Sequence, residues 1–106
     1  MDDKDRELLD RLKSLLEERV KLHQLILFGS RARGDAELDS DMDVLVVLDE
    51  PRTPEVRDAV SDCAWEAGFD AGVVVLPIVV SLDDWKNGPE RWSLLAMAVR
   101  EEGLTI

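Results

Sequence analysis

Residues 25–48 of this chain read LILFGSRARGDAELDSDMDVLVVL. Two apolar runs, residues 25–28 and 44–48, have the aliphatic and β-branched composition of buried strands. Between them lie a Gly-Ser pair, two arginines and two aspartates that are two positions apart. The pattern predicts two strands joined by a connection that holds a nucleoside triphosphate and its metal ion.

The two aspartates, Asp41 and Asp43, open the second apolar run. Residues two apart in a strand share a face, so their carboxylates repel each other and raise the pKa of at least one unless a cation lies between them. Ligands that are all oxygen suit Mg²⁺ or Mn²⁺, and Mg²⁺ completes its octahedron with water and substrate phosphates. We therefore predict that Asp41 and Asp43 are metal ligands and catalytic residues.

The phosphate side of the predicted site precedes them. Gly29 allows a sharp turn after the first strand, Ser30 can cap a short helical turn, and Gly34 can end it. A helix start offers free N–H groups to an anion, and the side chains add a hydroxyl and positive charge. We predict that Gly29, Ser30, Arg31 and Arg33 bind the nucleotide.

This arrangement resembles a known signature. Gly29-Ser30, ten further residues and then Asp41-Met42-Asp43 resemble the motif of the DNA polymerase β-like nucleotidyltransferase superfamily. The Ser-Arg-Ala-Arg-Gly segment is similar to its minimal nucleotidyltransferase (MNT) branch, which includes the antitoxins of HEPN–MNT toxin–antitoxin pairs. A weaker similarity continues through residues 76–81, 84–85 and 100–103.

The resemblance implies a metal-dependent enzyme that transfers AMP from ATP to a hydroxyl of a partner protein. For this branch the partner is a HEPN-type RNase toxin, and the enzyme is its antitoxin. The alternative is a catalytically inactive antitoxin that neutralises its partner by forming a complex with it. Superfamily enzymes also take a third acid from a neighbouring strand. Residues 72–80 contain none, which leaves Asp70 as the catalytic and metal-binding candidate or as a turn residue.

Two other interpretations of the acidic motif remain. Asp39, Asp41 and Asp43 have the spacing that opens a calcium-binding EF-hand loop, but the sixth position is Val44 where such a loop needs glycine. A solvated acidic turn is the other interpretation, since the chain is rich in acids. Neither explains the Gly-Ser-Arg element that precedes the aspartates.

Composition limits the remaining function classes. The 106 residues are 45% hydrophobic, which fits a single nucleotidyltransferase domain over residues 1–106. The net charge of −11 argues against direct nucleic-acid binding and suits a basic protein partner. One cysteine fits a reducing compartment, and no run has the length of a membrane span or signal peptide, so we expect a cytoplasmic protein. The oligomeric state stays open, with a homo-oligomer possible.

Periodicity and turn residues predict the elements. We expect helices over 4–21, 54–68 and 89–102, strands over 23–28 and 42–49, a strand region over 69–80, and a short turn capped by Ser81 or Asp83. The fold class is α/β (α+β), a polymerase β-like nucleotidyltransferase core with helices packed on a short mixed sheet. The remaining apolar side chains near the C-terminus form a partner-binding face or part of the core: Trp85, Trp92, Leu94, Leu95 and Met97.

Overall fold

The computed structural model of the chain describes residues 1–34, 37, 40–88 and 93–106. These residues form five helices and four strands. Their bounds are α1 Asp3–Arg19, β1 Leu22–Phe28, α2 Ser30–Arg33, β2 Met42–Leu48, α3 Pro54–Ala71, β3 Val75–Ser81, α4 Leu82–Asn87, α5 Ser93–Glu102 and β4 Leu104–Thr105. No helix in this part of the chain is both long enough and apolar enough to cross a bilayer.

The strands form one mixed sheet in the order β3-β2-β1-β4. β1 is antiparallel to both of its neighbours, whereas β2 and β3 are parallel. A parallel pair needs a long crossover, which α3 provides. The predicted fold class, a short mixed sheet with helices packed on it, is confirmed.

One face of the sheet is covered by the two long helices, α1 and α3. Leucines three and four apart on α1 and small apolar residues on α3 meet alternate residues of the strands, and all of these side chains are buried. We call this the α1/α3 face. Its strand residues include Leu25, Leu27, Met42, Val44 and Val46.

The opposite face has a smaller apolar cluster. Ile26, Leu45 and Val47 are buried there against Val99 of α5, and Trp85 of α4 packs on the same cluster. Alternation along β2 places the side chain of Asp43 on this side as well. We call it the Asp43 face.

Several predicted boundaries need correction. α3 does not stop at Gly68 but continues to Ala71, because the residue that turns the chain out of the helix is Gly72, at φ 70°. Asp70 therefore lies on a helix, and β3 begins only at Val75. Ser30 does not cap α2: Gly29 occupies the cap position, and Ser30 is the first helical residue.

The predicted cap of the turn after β3 is confirmed. Ser81 caps α4 by accepting a hydrogen bond of 3.1 Å from the Asp84 N–H. Pro77 lies on an edge strand, where a missing N–H is tolerated. Trp85 and Leu95 pack on the Asp43 face, whereas Leu94 and Met97 are exposed. Trp92 and the predicted helix start at Pro89 lie outside the described residues. The short strand β4 was not predicted.

Candidate functional site

The site begins at Gly29, the residue that follows β1. Its backbone has φ 77° and ψ −159°, a conformation that is essentially restricted to glycine. A Cβ at this position would lie 2.5 Å from Oδ2 of Asp43, so the carboxylate lies against the glycine backbone. This contact follows from the register of the sheet, in which Phe28 is paired with Asp43. Gly29 is therefore required both by the turn and by the carboxylate beside it.

Asp41 and Asp43 flank the first residue of β2, as predicted. Asp41 is exposed and Asp43 is half-buried. Burial is the main cause that raises the pKa of Asp43 above its ordinary value of 3.8, the nearby Asp41 raises it further, and Arg33 lowers it. Such a pair of oxygen donors fits a divalent cation that takes its other ligands from water and phosphates. The described residues contain no group of three or more His, Cys, Asp or Glu side chains arranged to hold a metal ion.

Arg33 and Glu102 form the other side of the site. Glu102, at the end of α5, accepts hydrogen bonds from the Gly29 N–H at 3.1 Å and from Arg33 Nη1 at 2.9 Å. The Arg33 side chain is 47% exposed and that of Glu102 is 21% exposed. A carboxylate thus accepts hydrogen bonds from two of the four residues that the sequence analysis assigned to the nucleotide. Ser30 follows directly, half-buried at the start of α2.

Sequence reasoning missed Glu102. Glu102 belongs to the weakly similar segment 100–103, but it was not predicted as a site residue, and it lies 73 positions from Gly29. The pairing of β4 with β1, in which Leu104 faces Leu27, brings the end of α5 to the Gly29 turn. No local signal in the sequence indicates this contact.

The two arginines of α2 have different surroundings. The Arg31 guanidinium contacts Asp5 Oδ1 at 2.7 Å and donates to the Ser40 carbonyl at 3.1 and 2.6 Å. The Arg31 and Asp5 side chains are only 8% and 10% exposed. Of the two arginines predicted to bind the nucleotide, Arg33 is the one whose side chain is open to solvent.

Asp70 lies apart from the other predicted site residues. It is on α3, on the α1/α3 side of the sheet, and its carboxylate pairs with Arg11 of α1 at 2.9 Å. The residue that β3 places beside Asp43 is Leu76, whose side chain is 44% exposed. The structure therefore brings together Gly29, Ser30, Arg33, Asp41 and Asp43.

An apolar groove of about 560 Å³ lies elsewhere, between α3 and the start of β3. Trp65 and Phe69 line it, exposed and stacked with ring centroids 4.9 Å apart. The residues that line it within the described part of the chain are uncharged. The groove therefore does not have the chemistry of a phosphate site.

Comparison with known proteins shows the family and the fold of the chain. The family model of the nucleotidyltransferase domain matches residues 6–97. The chain belongs to this nucleotidyltransferase family. It is 38% identical over 98 residues to "Putative protein adenylyltransferase MJ0604" of Methanocaldococcus jannaschii, covering 92% of this chain and 89% of that protein. The chain spans only 60% and 53% of the length of two other curated relatives from that organism.

Solved structures confirm the nucleotidyltransferase fold. A chain in the crystal structure of a toxin–antitoxin with AMP-PNP has a TM-score of 0.66 and 20% identity, covering 91% of this chain and 69% of that one. A chain in a complex of tri-AMPylated Shewanella oneidensis HEPN toxin with MNT antitoxin has a TM-score of 0.57 and 19% identity, covering 96% and 70%. The resemblance found in the motif is thus confirmed for family and fold.

Proposed function

We propose that this nucleotidyltransferase moves AMP from ATP to a hydroxyl group of a partner protein, and that it acts as the antitoxin of a HEPN-type RNase toxin. The observation that carries the proposal is the convergence at the Gly29 turn. There the Asp43 carboxylate lies against the Gly29 backbone. Burial and the nearby Asp41 raise the pKa of Asp43, and the positive charge of Arg33 lowers it. Acids that attract a cation and donors that attract an anion thus meet at one end of the two central strands, β1 and β2.

The site residues fall into two groups, one that would hold the metal ion and one that would bind phosphate. A divalent cation held by Asp41 and Asp43 would neutralise charge on the triphosphate and orient its α-phosphate. The Gly29 N–H, the Ser30 hydroxyl and the Arg33 guanidinium bind phosphate oxygens. Because Glu102 holds two of these donors, the phosphate replaces its carboxylate there.

The transfer itself is a displacement at the α-phosphorus. The acceptor hydroxyl oxygen forms a bond to this phosphorus, the bond to the oxygen that bridges it to the β-phosphate breaks, and pyrophosphate leaves. The proton of the hydroxyl passes to solvent, because the residue that β3 places beside Asp43 is Leu76 and not an acid. Charge neutralisation and orientation of the triphosphate would then supply most of the rate enhancement.

The partner is proposed from the similar proteins and from charge. The relative that matches over almost the whole chain carries the name of a protein adenylyltransferase, and one structural neighbour is a complex of a HEPN toxin with an MNT antitoxin. The net charge of −11 favours a protein acceptor with a basic surface over a nucleic-acid acceptor.

A second candidate function is neutralisation by binding alone. It is favoured by Leu76, which stands where a third carboxylate would complete the site, and by Asp70, which pairs with Arg11 instead. In that case the chain inhibits its partner without modifying it.

The test is to incubate the protein with Mg²⁺, each of the four nucleoside triphosphates in turn, and the protein encoded by the adjacent gene, and then to weigh that protein. We expect a mass increase of one or more AMP units with ATP, lost in Asp41→Asn and Asp43→Asn. Asp70→Asn is the matched control, and it should keep the transfer. An unmodified partner that the Asp41→Asn/Asp43→Asn double variant still inhibits would support the binding function instead.

A further inference from the structure

Asp5 is a buried charge outside the predicted site. It is the one charged residue of the described part of the chain that is buried, at 7% exposure, whereas Asp2 and Asp3 at the same helix end are exposed. A buried carboxylate is costly unless it is paired and hydrogen-bonded. Its partner is Arg31, at 2.7 Å.

The same Arg31 guanidinium also contacts Ser40, the residue directly before Asp41. Its Nε and Nη2 both donate to the carbonyl of Ser40, at 3.1 and 2.6 Å. A planar guanidinium can make this forked contact and an ion pair at once, and a lysine ammonium cannot reproduce that geometry. Arg31 therefore ties α1, through Asp5, to the residue directly before Asp41.

Asp41 precedes the first residue of β2, so the sheet does not hold it by itself. On its C-terminal side, the Met42 N–H donates to the Val74 carbonyl at 2.8 Å. On its N-terminal side, the Ser40 carbonyl accepts a hydrogen bond from the Arg31 guanidinium. Asp41 is thus the single residue between two backbone hydrogen bonds, and its orientation depends on both.

We propose that Asp5 and Arg31 are positioning residues, which orient Asp41 toward Asp43 for a divalent cation. This inference rests on the proposed function, because it takes Asp41 as a metal ligand. It also gives Arg31 a role different from binding the triphosphate. Residues that orient metal ligands typically affect metal affinity 10- to 100-fold when they are replaced.

The experiment measures Mn²⁺ binding by electron paramagnetic resonance, without nucleotide, in the full chain and its variants. Arg31→Lys and Asp5→Asn should each weaken Mn²⁺ binding about tenfold or more. Arg11→Lys is the matched control: it alters another arginine–aspartate contact of α1, at 2.9 Å from Asp70, and should leave Mn²⁺ binding unchanged.

A double variant separates positioning from stability. Replacing a buried ion pair by apolar residues is often neutral for folding, so Asp5→Leu/Arg31→Met should keep the thermal midpoint near that of the natural chain. Because the variant lacks the two hydrogen bonds from Arg31 to the Ser40 carbonyl, it should still weaken Mn²⁺ binding about tenfold. AMP transfer by the single variants should be recovered, at least in part, by raising the metal concentration.

The outcomes distinguish the two proposals. If Asp41→Asn weakens Mn²⁺ binding and the Arg31 and Asp5 variants do not, the positioning role is wrong and the proposed function stands. If Asp41→Asn leaves Mn²⁺ binding unchanged, both are wrong. Suppose that Arg31→Lys raises the KM for ATP, that Asp5→Asn leaves this KM unchanged, and that both variants bind Mn²⁺ as the natural chain does. Arg31 then binds phosphate, and the positioning role is overturned.

Discussion

The two faces of the sheet have different tasks. The α1/α3 face is closed by two long helices and filled with aliphatic side chains that are almost completely buried. The Asp43 face has a smaller cluster under shorter helices, and it carries a carboxylate whose pKa is raised by burial and by a like charge. Strand β2 serves both, because successive side chains point to opposite sides. Substitutions at alternate positions of β2 should therefore affect either the stability of the fold or the chemistry of the site.

The largest expected effect of a single change on the Asp43 face is that of Asp43→Asn. Because Asp43 is a metal ligand in the proposed function, its loss should lower AMP transfer about 10³-fold, a loss comparable with that of removing a key electrostatic group in other enzymes. Stability at neutral pH should rise slightly, because the variant no longer ionises a carboxyl whose pKa is raised. Transfer rates and thermal unfolding measure the two effects. Asp49→Asn, an exposed acid just after β2, is the control.

On the α1/α3 face, Leu16→Ala should lower the stability of the protein and leave the rate of AMP transfer unchanged. Leu16 is fully buried, and truncation of such a leucine typically costs about 2–5 kcal/mol in the free energy of unfolding. Transfer at a temperature well below the unfolding midpoint should stay near that of the natural chain. Leu45→Ala makes the same truncation two residues after Asp43 and should reduce both stability and rate. Equal rate losses in the two variants would contradict the separation of the faces.

Gly29→Ala tests the close contact between the Gly29 backbone and the Asp43 carboxylate. Alanine at φ 77° is strained, by about 1–3 kcal/mol for such backbone conformations, and its Cβ would displace the Asp43 carboxylate. We expect weaker Mn²⁺ binding and roughly 10- to 100-fold slower transfer, by analogy with other residues that orient metal ligands. Gly34→Ala has a similar positive φ, with open space where its Cβ would be, and separates backbone strain from the clash.

The pH dependence of metal binding follows from Asp43. Because its pKa is raised above 3.8, protons compete with the cation at a higher pH than for an ordinary aspartate. Mn²⁺ affinity should therefore fall as pH is lowered through this raised pKa. For folding the sign is reversed: the protonated Asp43 favours the folded state below its unfolded pKa, and this stabilisation is lost as pH rises through the folded pKa. Asp43→Asn should remove that component from a titration of stability against pH.

The smallest expected effect is that of Glu102→Gln. In the proposed function the Glu102 carboxylate competes with phosphate for the Gly29 N–H and for Arg33. Partly exposed charge pairs such as that of Arg33 and Glu102 contribute about 0.2–1 kcal/mol. ATP should therefore bind up to about fivefold more tightly to the variant, as measured by calorimetry. Glu101→Gln, its exposed neighbour, should not alter binding. Weaker ATP binding would mean that Glu102 orders the phosphate donors.

Much of the fold and site was predictable from local patterns. The leucines of α1, the apolar runs of β1 and β2, and the turn residues Gly34 and Pro54 each determine local structure through short-range physics. The end of α3 was predicted wrongly because the segment holds two glycines, Gly68 and Gly72, either of which can end a helix. Gly68 packs against the backbone of residue 73, and the helix continues to Gly72, whose positive φ ends it.

By itself, the sequence determined the family, the two central strands β1 and β2, and the places of Gly29, Asp41 and Asp43 at their ends, because these depend on spacing within one motif. The tertiary structure decided which charges meet. Arg31 lies over Asp5 and Arg33 beside Glu102, contacts that span 26 and 69 residues. Such pairings depend on how helices pack on the sheet and on which strands lie at its edge, and no local pattern encodes either.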